Sequence, residues 1–205
     1  MRWRGRVLLV SLLASFGAWA QAAHPVTRTA MPGPDQFELR AELPVALAEL
    51  LPLLEQPCHV RQWMPGVDTL TILERPSSTR TLVYMARSAP WPLSGRDAVT
   101  LFERHSGDPV VLTMKGKPDA WPEQPDHVRV PFTEGSWSLQ AQPEMGRTRV
   151  VYRQRVNPGG GIPQWLADRL APGQMEAALA ALENYVRDPQ RTDCPAAEPA
   201  AHGAG

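Results

Sequence analysis

The residue types that most often carry catalysis are present but scattered along the chain. The five histidines are His24, His59, His105, His127 and His202. No two of them have the spacing of metal ligands, and no H-E-x-x-H, G-x-S-x-G or P-loop string occurs. Glu103 and Asp108 do not form a recognisable acid–base pair. The sequence therefore predicts no catalytic site, no metal site and no cofactor.

A glycine-rich run, Asn157-Pro158-Gly159-Gly160-Gly161, stands just before a predicted helix. Glycine-rich loops at helix N-termini can bind phosphate, but the phosphate-binding loop also carries a Lys-Ser/Thr pair, which is missing here. The run therefore favours a turn between a strand and a helix.

The aromatic residues form the most distinctive set. Tyr84, Phe102, Trp137 and Tyr152 lie on separate predicted strands, and Trp165 opens the last predicted helix. Such a set serves either as the packed core of a domain or as the wall of an apolar ligand site. The residues alone leave both interpretations open.

The elements that position these side chains are mostly strands. Alternation and β-branched content predict strands at 26–28, 36–41, 70–74, 81–87, 97–104, 110–115, 127–132, 136–141 and 147–156. Turns are predicted at 76–78, 106–108, 134–135 and 145–146. Helices are predicted from Pro44 to Pro57, briefly around 60–64, and from Pro163 to Val186 with a break or kink at Pro172-Gly173. This order predicts an α+β fold, with the last helix lying across a curved antiparallel sheet.

The stretch Trp91-Pro92-Leu93-Ser94-Gly95-Arg96-Asp97 resembles the StAR-related lipid-transfer (START) family, in which Trp-Pro-x-x-x-Arg-Asp leads into a central strand. Further matches follow in order at 135–139, at 148–152, at the Pro158-Gly159-Gly160 turn and at 162–166, and Trp63 fits the tryptophan after the early helices. The resemblance covers roughly residues 25 to 187. The chain departs from the family in lacking its usual N-terminal helix. The resemblance implies the helix-grip fold, a curved antiparallel sheet wrapped around a long C-terminal helix, with an internal tunnel for a lipid.

In such a fold the core face and the cavity face are the same concave surface, so the aromatic set and its inward partners become candidate ligand contacts. The candidates are Leu82, Tyr84, Trp91, Arg96, Thr100, Phe102, Val130, Trp137, Leu139, Tyr152, Trp165, Met175 and Leu179. Met175 and Leu179 are candidate lids. Trp91 either covers the entrance or anchors its loop. Arg96 and Asp97 point to opposite sheet faces, and a structural role competes with ligand contact for both.

The N-terminus has the features of a secretory signal peptide. Three arginines precede an apolar run from Val7 to Ala18, which ends in the small residues of Ala18-Trp19-Ala20-Gln21-Ala22. The run is short for a transmembrane helix, and a retained anchor is the alternative. We expect residues 1–22 to be removed, leaving 18 basic against 21 acidic residues and a formal charge of −3. That charge argues against nucleic-acid binding. Export places the protein in the periplasm of a Gram-negative cell, or otherwise outside the cell.

The chain has two cysteines, Cys58 and Cys194. In an oxidising compartment they form either a disulfide or two unpaired thiols. Residues 23–187 are predicted to form the START-like domain. Residues 188–205, rich in Pro, Ala and Gly, are predicted to form a disordered tail.

The function expected from these features is binding of a lipid or other hydrophobic small molecule by an exported monomer that is not an enzyme. Transfer between membranes, with transient membrane contact, is a further step. The alternatives are a helix-grip enzyme of cyclase or hydrolase type and an interaction module with a filled core. Polar groups converging in the cavity would favour the first, and a closed core the second.

Overall fold

The computed structural model describes residues 26–30, 36–89 and 94–194. The predicted signal segment 1–22 lies outside these residues. The strands are β1 (Thr27–Ala30), β2 (Gln36–Leu43), β3 (Val67–Ser77), β4 (Arg80–Arg87), β5 (Gly95–His105), β6 (Val110–Gly116), β7 (His127–Arg129), β8 (Phe132–Gln142) and β9 (Arg147–Asn157). The helices are α1 (Leu47–Glu55), α2 (Pro57–Trp63) and α3 (Gln164–Arg187).

The nine strands of the described chain form one sheet, in which eight follow the order β1-β2-β9-β8-β6-β5-β4-β3 and β7 lies off this path. Neighbours along this path are antiparallel, while the short β7 pairs in parallel with the start of β5. Helix α3 contacts β2 and α2. The predicted α+β helix-grip architecture, a curved antiparallel sheet with one long C-terminal helix, is confirmed.

The core lies between the concave face of the sheet and the helices. Leu50 of α1, Leu182 of α3 and Val150 of β9 are fully buried within one apolar cluster. In β9 the alternation of Val150 and Tyr152 with the exposed Arg149 and Arg153 directs one face inward, as a half-buried strand requires. Full burial of each of these aliphatic side chains stabilises the folded state by about 1.5–3 kcal/mol.

The predicted turn at Glu134–Gly135 is wrong, because both residues lie inside β8. A Cβ atom on Gly135 would stand 2.3 Å from the carbonyl oxygen of Arg153 and 2.8 Å from Cε of Met114. The glycine therefore serves the close approach of neighbouring strands. The predicted strand 127–132 is instead divided at Pro131, between β7 and β8.

Two prolines have other roles than predicted. Pro57 ends α1 as expected, but it also begins α2, where the missing N–H costs nothing. Pro172 does not break α3, which is continuous from Gln164 to Arg187. Pro172 is fully buried, and the packing of its neighbours Ala171 and Met175 on the core offsets the roughly 3 kcal/mol cost of an internal proline.

Residues 188–194, predicted as the start of a disordered tail, are held against the domain. Cys194 forms a disulfide with Cys58 of α2. Arg191 donates to the carbonyl oxygen of Val186 at 3.1 Å and pairs with Glu49 at 3.6 Å. The rest of the predicted tail lies outside the described residues. None of the described helices is both long and apolar enough to cross a membrane.

Candidate functional site

A cavity of about 540 Å³ lies between the concave face of the sheet and helices α2 and α3. Strands β4, β5, β6, β8 and β9 supply its floor, and the first half of α3 lies over it. Its volume falls within the roughly 300–1,000 Å³ typical of small-molecule sites.

The middle of the cavity is apolar. Its floor and sides include Leu70, Val83, Met85, Ala98, Phe102, Leu112, Met114, Trp137, Met175 and Ala178. Trp137 packs edge-on against Tyr152 with 4.6 Å between ring centroids. Trp63 closes a side near α2, and its Nε1 donates to the carbonyl oxygen of Leu53 at 2.9 Å. Methionines adapt to ligands of irregular shape, so the wall suits flexible apolar chains.

Two arginines mark one end of the cavity. Arg87 is the last residue of β4, and Arg96 is its register partner near the start of β5. Both line the cavity, since partners in an antiparallel pair point to the same face. Burial lowers the pKa of the Arg87 guanidinium, while Tyr152 and Asp68 oppose the shift.

The other end holds carboxylates that already have cationic partners. Arg104 pairs with Glu55 at 2.9 Å, and Arg80 pairs with Glu103 at 3.7 Å. Burial raises the pKa of Glu55, and Arg104 and Arg75 act in the opposite direction.

The wall also contains a few neutral polar groups. Burial raises the pKa of the Tyr152 hydroxyl well above its usual range, with Arg87 opposing the shift. Gln154, two residues further along β9, donates from Nε2 to Oγ1 of Thr133 at 3.4 Å. Few polar groups in an apolar wall are typical of sites that orient a largely hydrophobic ligand.

Several residues proposed from the sequence lie on the cavity wall. They are Arg96, Thr100, Phe102, Val130, Trp137, Tyr152 and Met175. Thr100 and Phe102 continue the face of Arg96 at two-residue steps along β5, and Tyr152 joins them from β9.

Leu82 and Tyr84 do not line the cavity, contrary to prediction. They lie on the opposite face of β4, where they pack with Leu73, Ala86 and Val99. Pairing with β5 turns the other alternating set of β4 inward, so that Val83 and Met85 are the lining residues. A slip of one residue in register exchanges the two faces of a strand.

Three further predicted residues have other positions. Leu139 and Leu179 are fully buried in the main core and do not reach the cavity. Trp165 is 66% exposed at the beginning of α3. Trp91 lies outside the described residues.

Asp97 faces away from the cavity, as its position beside Arg96 predicts. Arg129 of β7 contacts its two carboxylate oxygens through Nε at 3.0 Å and Nη2 at 2.9 Å. Arg129 also donates to the carbonyl oxygens of Pro118, Trp121 and Pro122. Burial and, after it, the negative charge of Asp97 raise the pKa of the Tyr84 hydroxyl on the same face. Asp97 therefore anchors β7 and the segment before it to the convex face of the sheet.

The sequence alone does not identify Arg87, Val83 or Met85 as cavity residues of β4. The alternation of side chains along the strands could have identified Arg87. If Arg96 faces inward, its partner across the β4–β5 pair must face inward too. Finding that partner required the register. Among the described residues no three His, Cys, Asp or Glu side chains are grouped closely enough to hold a metal ion.

Comparison with known proteins shows the family of this architecture. The family model described as polyketide cyclase/dehydrase and lipid transport matches residues 34–187. The crystal structure of a STAR-related lipid transfer protein from Xanthomonas axonopodis is 30% identical with a TM-score of 0.70, over 80% of this chain and 93% of that one.

Two curated relatives are matched over shorter parts. An uncharacterized protein of Pseudomonas aeruginosa is 32% identical over 52% of this chain and 53% of its own length. The phosphatidylcholine transfer protein of Bos taurus is 28% identical over 61% of this chain and 62% of its own length. The chain thus spans between half and two thirds of these relatives. The START resemblance drawn from the sequence is confirmed.

Proposed function

Because the chain belongs to the polyketide cyclase/dehydrase and lipid transport family, we propose that it is an exported carrier that holds a lipid in the cavity beneath α3. The cavity of about 540 Å³ is the observation that carries this proposal. A domain whose only role was surface interaction would gain stability by filling that space, since an apolar cavity costs free energy that grows with its volume.

The chemistry of the wall supports a lipid as the ligand. Burying apolar ligand surface contributes about 25 cal/mol per Å² before the costs of ordering, and the centre of the cavity offers methionine, leucine, valine and aromatic surface. The phosphatidylcholine transfer protein and the STAR-related lipid transfer protein, both named for lipid transfer, add support for a lipid ligand.

Binding is favoured over catalysis by the arrangement of charged groups. A cyclase-type reaction needs an acid or base within hydrogen-bond reach of the reacting atoms. The cavity carboxylates Glu55 and Glu103 stand at one end and are paired with Arg104 and Arg80. We therefore assign the cavity to binding, with a cyclase-type enzyme as the alternative.

Export is part of the same proposal. The arginine-rich start and the apolar run of residues 7–18 support it, and so does the disulfide between Cys58 and Cys194, because disulfides persist in oxidising compartments. Sequencing the N-terminus of protein recovered from the periplasm or medium should give a start near residue 23. An uncleaved start at Met1 would contradict export by this route.

Native mass spectrometry of the protein, followed by organic extraction, should reveal one co-purified lipid per chain.

A substitution that fills the cavity tests whether the lipid binds there. Ala98 lies on the cavity floor, so Ala98→Phe should reduce lipid binding at least tenfold while keeping the fold, because the added ring occupies space that is empty.

The matched control is Ala141→Phe, which places the same ring at an exposed position of β8. It should bind lipid like the wild type. Equal binding by Ala98→Phe and the wild type would rule out this cavity as the lipid site. If the wild type binds no phospholipid, sterol or fatty acid, the carrier proposal fails and the cyclase-type enzyme becomes the preferred function.

A further inference from the structure

Arg87 and Arg96 form a like-charged pair across two neighbouring strands. They are direct register partners in the antiparallel ladder of β4 and β5, and both line the cavity. Like charges placed directly opposite on one sheet face destabilise the sheet. Such a pair in a largely apolar wall needs a compensating negative charge.

In the part of the chain that the structure describes, the protein compensates this pair only weakly. Neither arginine forms a salt bridge there. Asp97 points to the opposite face and is held by Arg129. Asp68, the carboxylate that affects Arg87, is exposed and accepts a hydrogen bond from Ser88. Glu55 and Glu103 belong to the other end of the cavity.

The two guanidinium groups are held in place but keep free donors. Arg87 donates from Nη2 to the carbonyl oxygen of Pro65 at 2.7 Å, and Arg96 donates from Nη1 to that of Ser94. Arg96 Nε is buried and has no hydrogen-bond partner. The turn before α3 packs on this side chain, since a Cβ on Gly160 would stand 3.0 Å from Arg96 Nη2. A guanidinium has five N–H donors, so one hydrogen bond to a carbonyl oxygen leaves each of the two groups with further donors for a ligand.

We propose that Arg87 and Arg96 together bind the phosphate group of a lipid whose apolar chains occupy the cavity. The proposal rests on the lipid-carrier function and specifies which end of the lipid lies where. In this arrangement the headgroup lies between the end of β4, the start of β5 and the glycine turn before α3. The acyl chains extend past Met85, Phe102 and Trp137.

Phosphate suits two arginines better than a carboxylate does. One guanidinium satisfies both oxygens of a carboxylate in a bidentate pair, whereas a phosphate has further oxygens for a second guanidinium. Arginine is weakly hydrated and its planar fork matches phosphate geometry. The hydroxyl of Tyr152, which lines the cavity and interacts electrostatically with Arg87, adds another donor near this end.

The test compares two fluorescent lipids that have the same acyl chains, phosphatidic acid and diacylglycerol. The wild type should bind phosphatidic acid ten- to a hundredfold more tightly, because hydrogen bonds between charged groups are about twice as strong as neutral ones. Arg87→Gln and Arg96→Gln should each reduce the affinity for phosphatidic acid at least tenfold and leave that for diacylglycerol unchanged.

Arg61→Gln is the matched control, because Arg61 is exposed on α2 and does not line the cavity. It should bind both lipids like the wild type. The melting temperature of lipid-free Arg96→Gln should equal or exceed that of the wild type, since the substitution relieves repulsion. If a glutamine variant does not fold, Arg87→Lys also tests the phosphate site. It keeps the charge but loses the planar guanidinium, so it should bind phosphatidic acid more weakly than the wild type does.

The outcomes separate the two proposals. If the wild type binds neither phosphatidic acid nor diacylglycerol, the phosphate site is wrong, and the carrier function fails as well if sterols and fatty acids are not bound either. If it binds both and the glutamine variants keep the same preference, the carrier function stands and the phosphate site is wrong. A fatty acid of the same chain length that binds more tightly than phosphatidic acid would also overturn the site. Displacement of phosphatidic acid by inorganic phosphate at equal concentration would show that the two arginines bind free phosphate and would overturn the assignment to a lipid.

Discussion

Arg96 and Asp97 are chain neighbours with opposite electrostatic environments. The side chain of Asp97 has no exposed surface, and its partner Arg129 is 6% exposed, so their ion pair is enclosed by the protein. Arg96 faces a cavity and has a buried Nε without a partner. Asp97 is thus paired with a buried arginine, whereas Arg96 forms no salt bridge with a described residue. This difference is expected if Arg96 serves to bind a ligand.

Asp97→Asn should lower the free energy of unfolding by about 3–5 kcal/mol, because it leaves the charge of Arg129 buried and uncompensated. Urea denaturation of the lipid-free protein measures this loss. Arg96→Gln, the neighbouring control, should show no comparable loss. Equal stability of Asp97→Asn and the wild type would mean that the pair on the convex face contributes nothing to folding.

At the scale of elements, a disulfide and a hydrogen bond connect α2 to α3 and to the segment that follows it. Cys58 of α2 is bonded to Cys194 just after α3, and Nδ1 of His59 lies 2.7 Å from the hydroxyl of Tyr185. Both members of the hydrogen bond are buried. The second half of α3 is therefore fixed, while its first half, from Gln164 to Pro172, lies over the cavity.

The stability of this contact should depend on pH. Burial, reinforced by Arg191, lowers the pKa of His59 below its ordinary value of 6.5, with Asp193 opposing. At His59 the unfolded chain therefore binds a proton more readily than the folded one. The free energy of unfolding rises with pH up to about 6.5, and the contribution of His59 to it is constant above that pH. Melting temperatures between pH 5 and 8 should show this rise.

His59→Gln is the comparison, because it removes the titrating group. The difference in melting temperature between pH 5 and 7 should become smaller in this variant. An unchanged difference would assign the pH dependence to other groups.

At the scale of the whole molecule, apolar side chains are exposed where α3 begins. Trp165 is 66% exposed and Leu170 is 48% exposed, and Leu170 also lines the cavity. An apolar surface continuous with the cavity wall gives a lipid chain a path that stays out of water. We expect this part of α3 to contact the membrane during lipid exchange.

The double substitution Trp165→Ala and Leu170→Ala should slow lipid transfer between vesicles about tenfold and leave the affinity for lipid nearly unchanged. Burying one large apolar side chain is worth about 1.5–3 kcal/mol, and partial burial less. Met145→Ala is the control, because Met145 is 58% exposed in the turn between β8 and β9. Equal transfer rates for the double variant and the wild type would exclude contact through this surface.

The sequence by itself determined the order of elements, the α+β class and the family resemblance. These depend on local signals: alternation in strands, helical spacing in α3, and the Trp-Pro-x-x-x-Arg-Asp string. It also predicted that Arg96 and Asp97 face opposite ways, because side chains alternate along any strand. The cavity face of β5 followed from the same rule.

Only the tertiary structure decided which face of β4 lines the cavity, that Gly135 lies within a strand, and that Pro172 stays inside a helix. Each outcome depends on a partner distant in sequence: β5 for the register, the backbone of β9 beside Gly135, and the core that covers Pro172. The pairing of Arg87 with Arg96 belongs to this class as well. Alternation limits each strand to two faces, but the free energy that selects one of them comes from packing between elements.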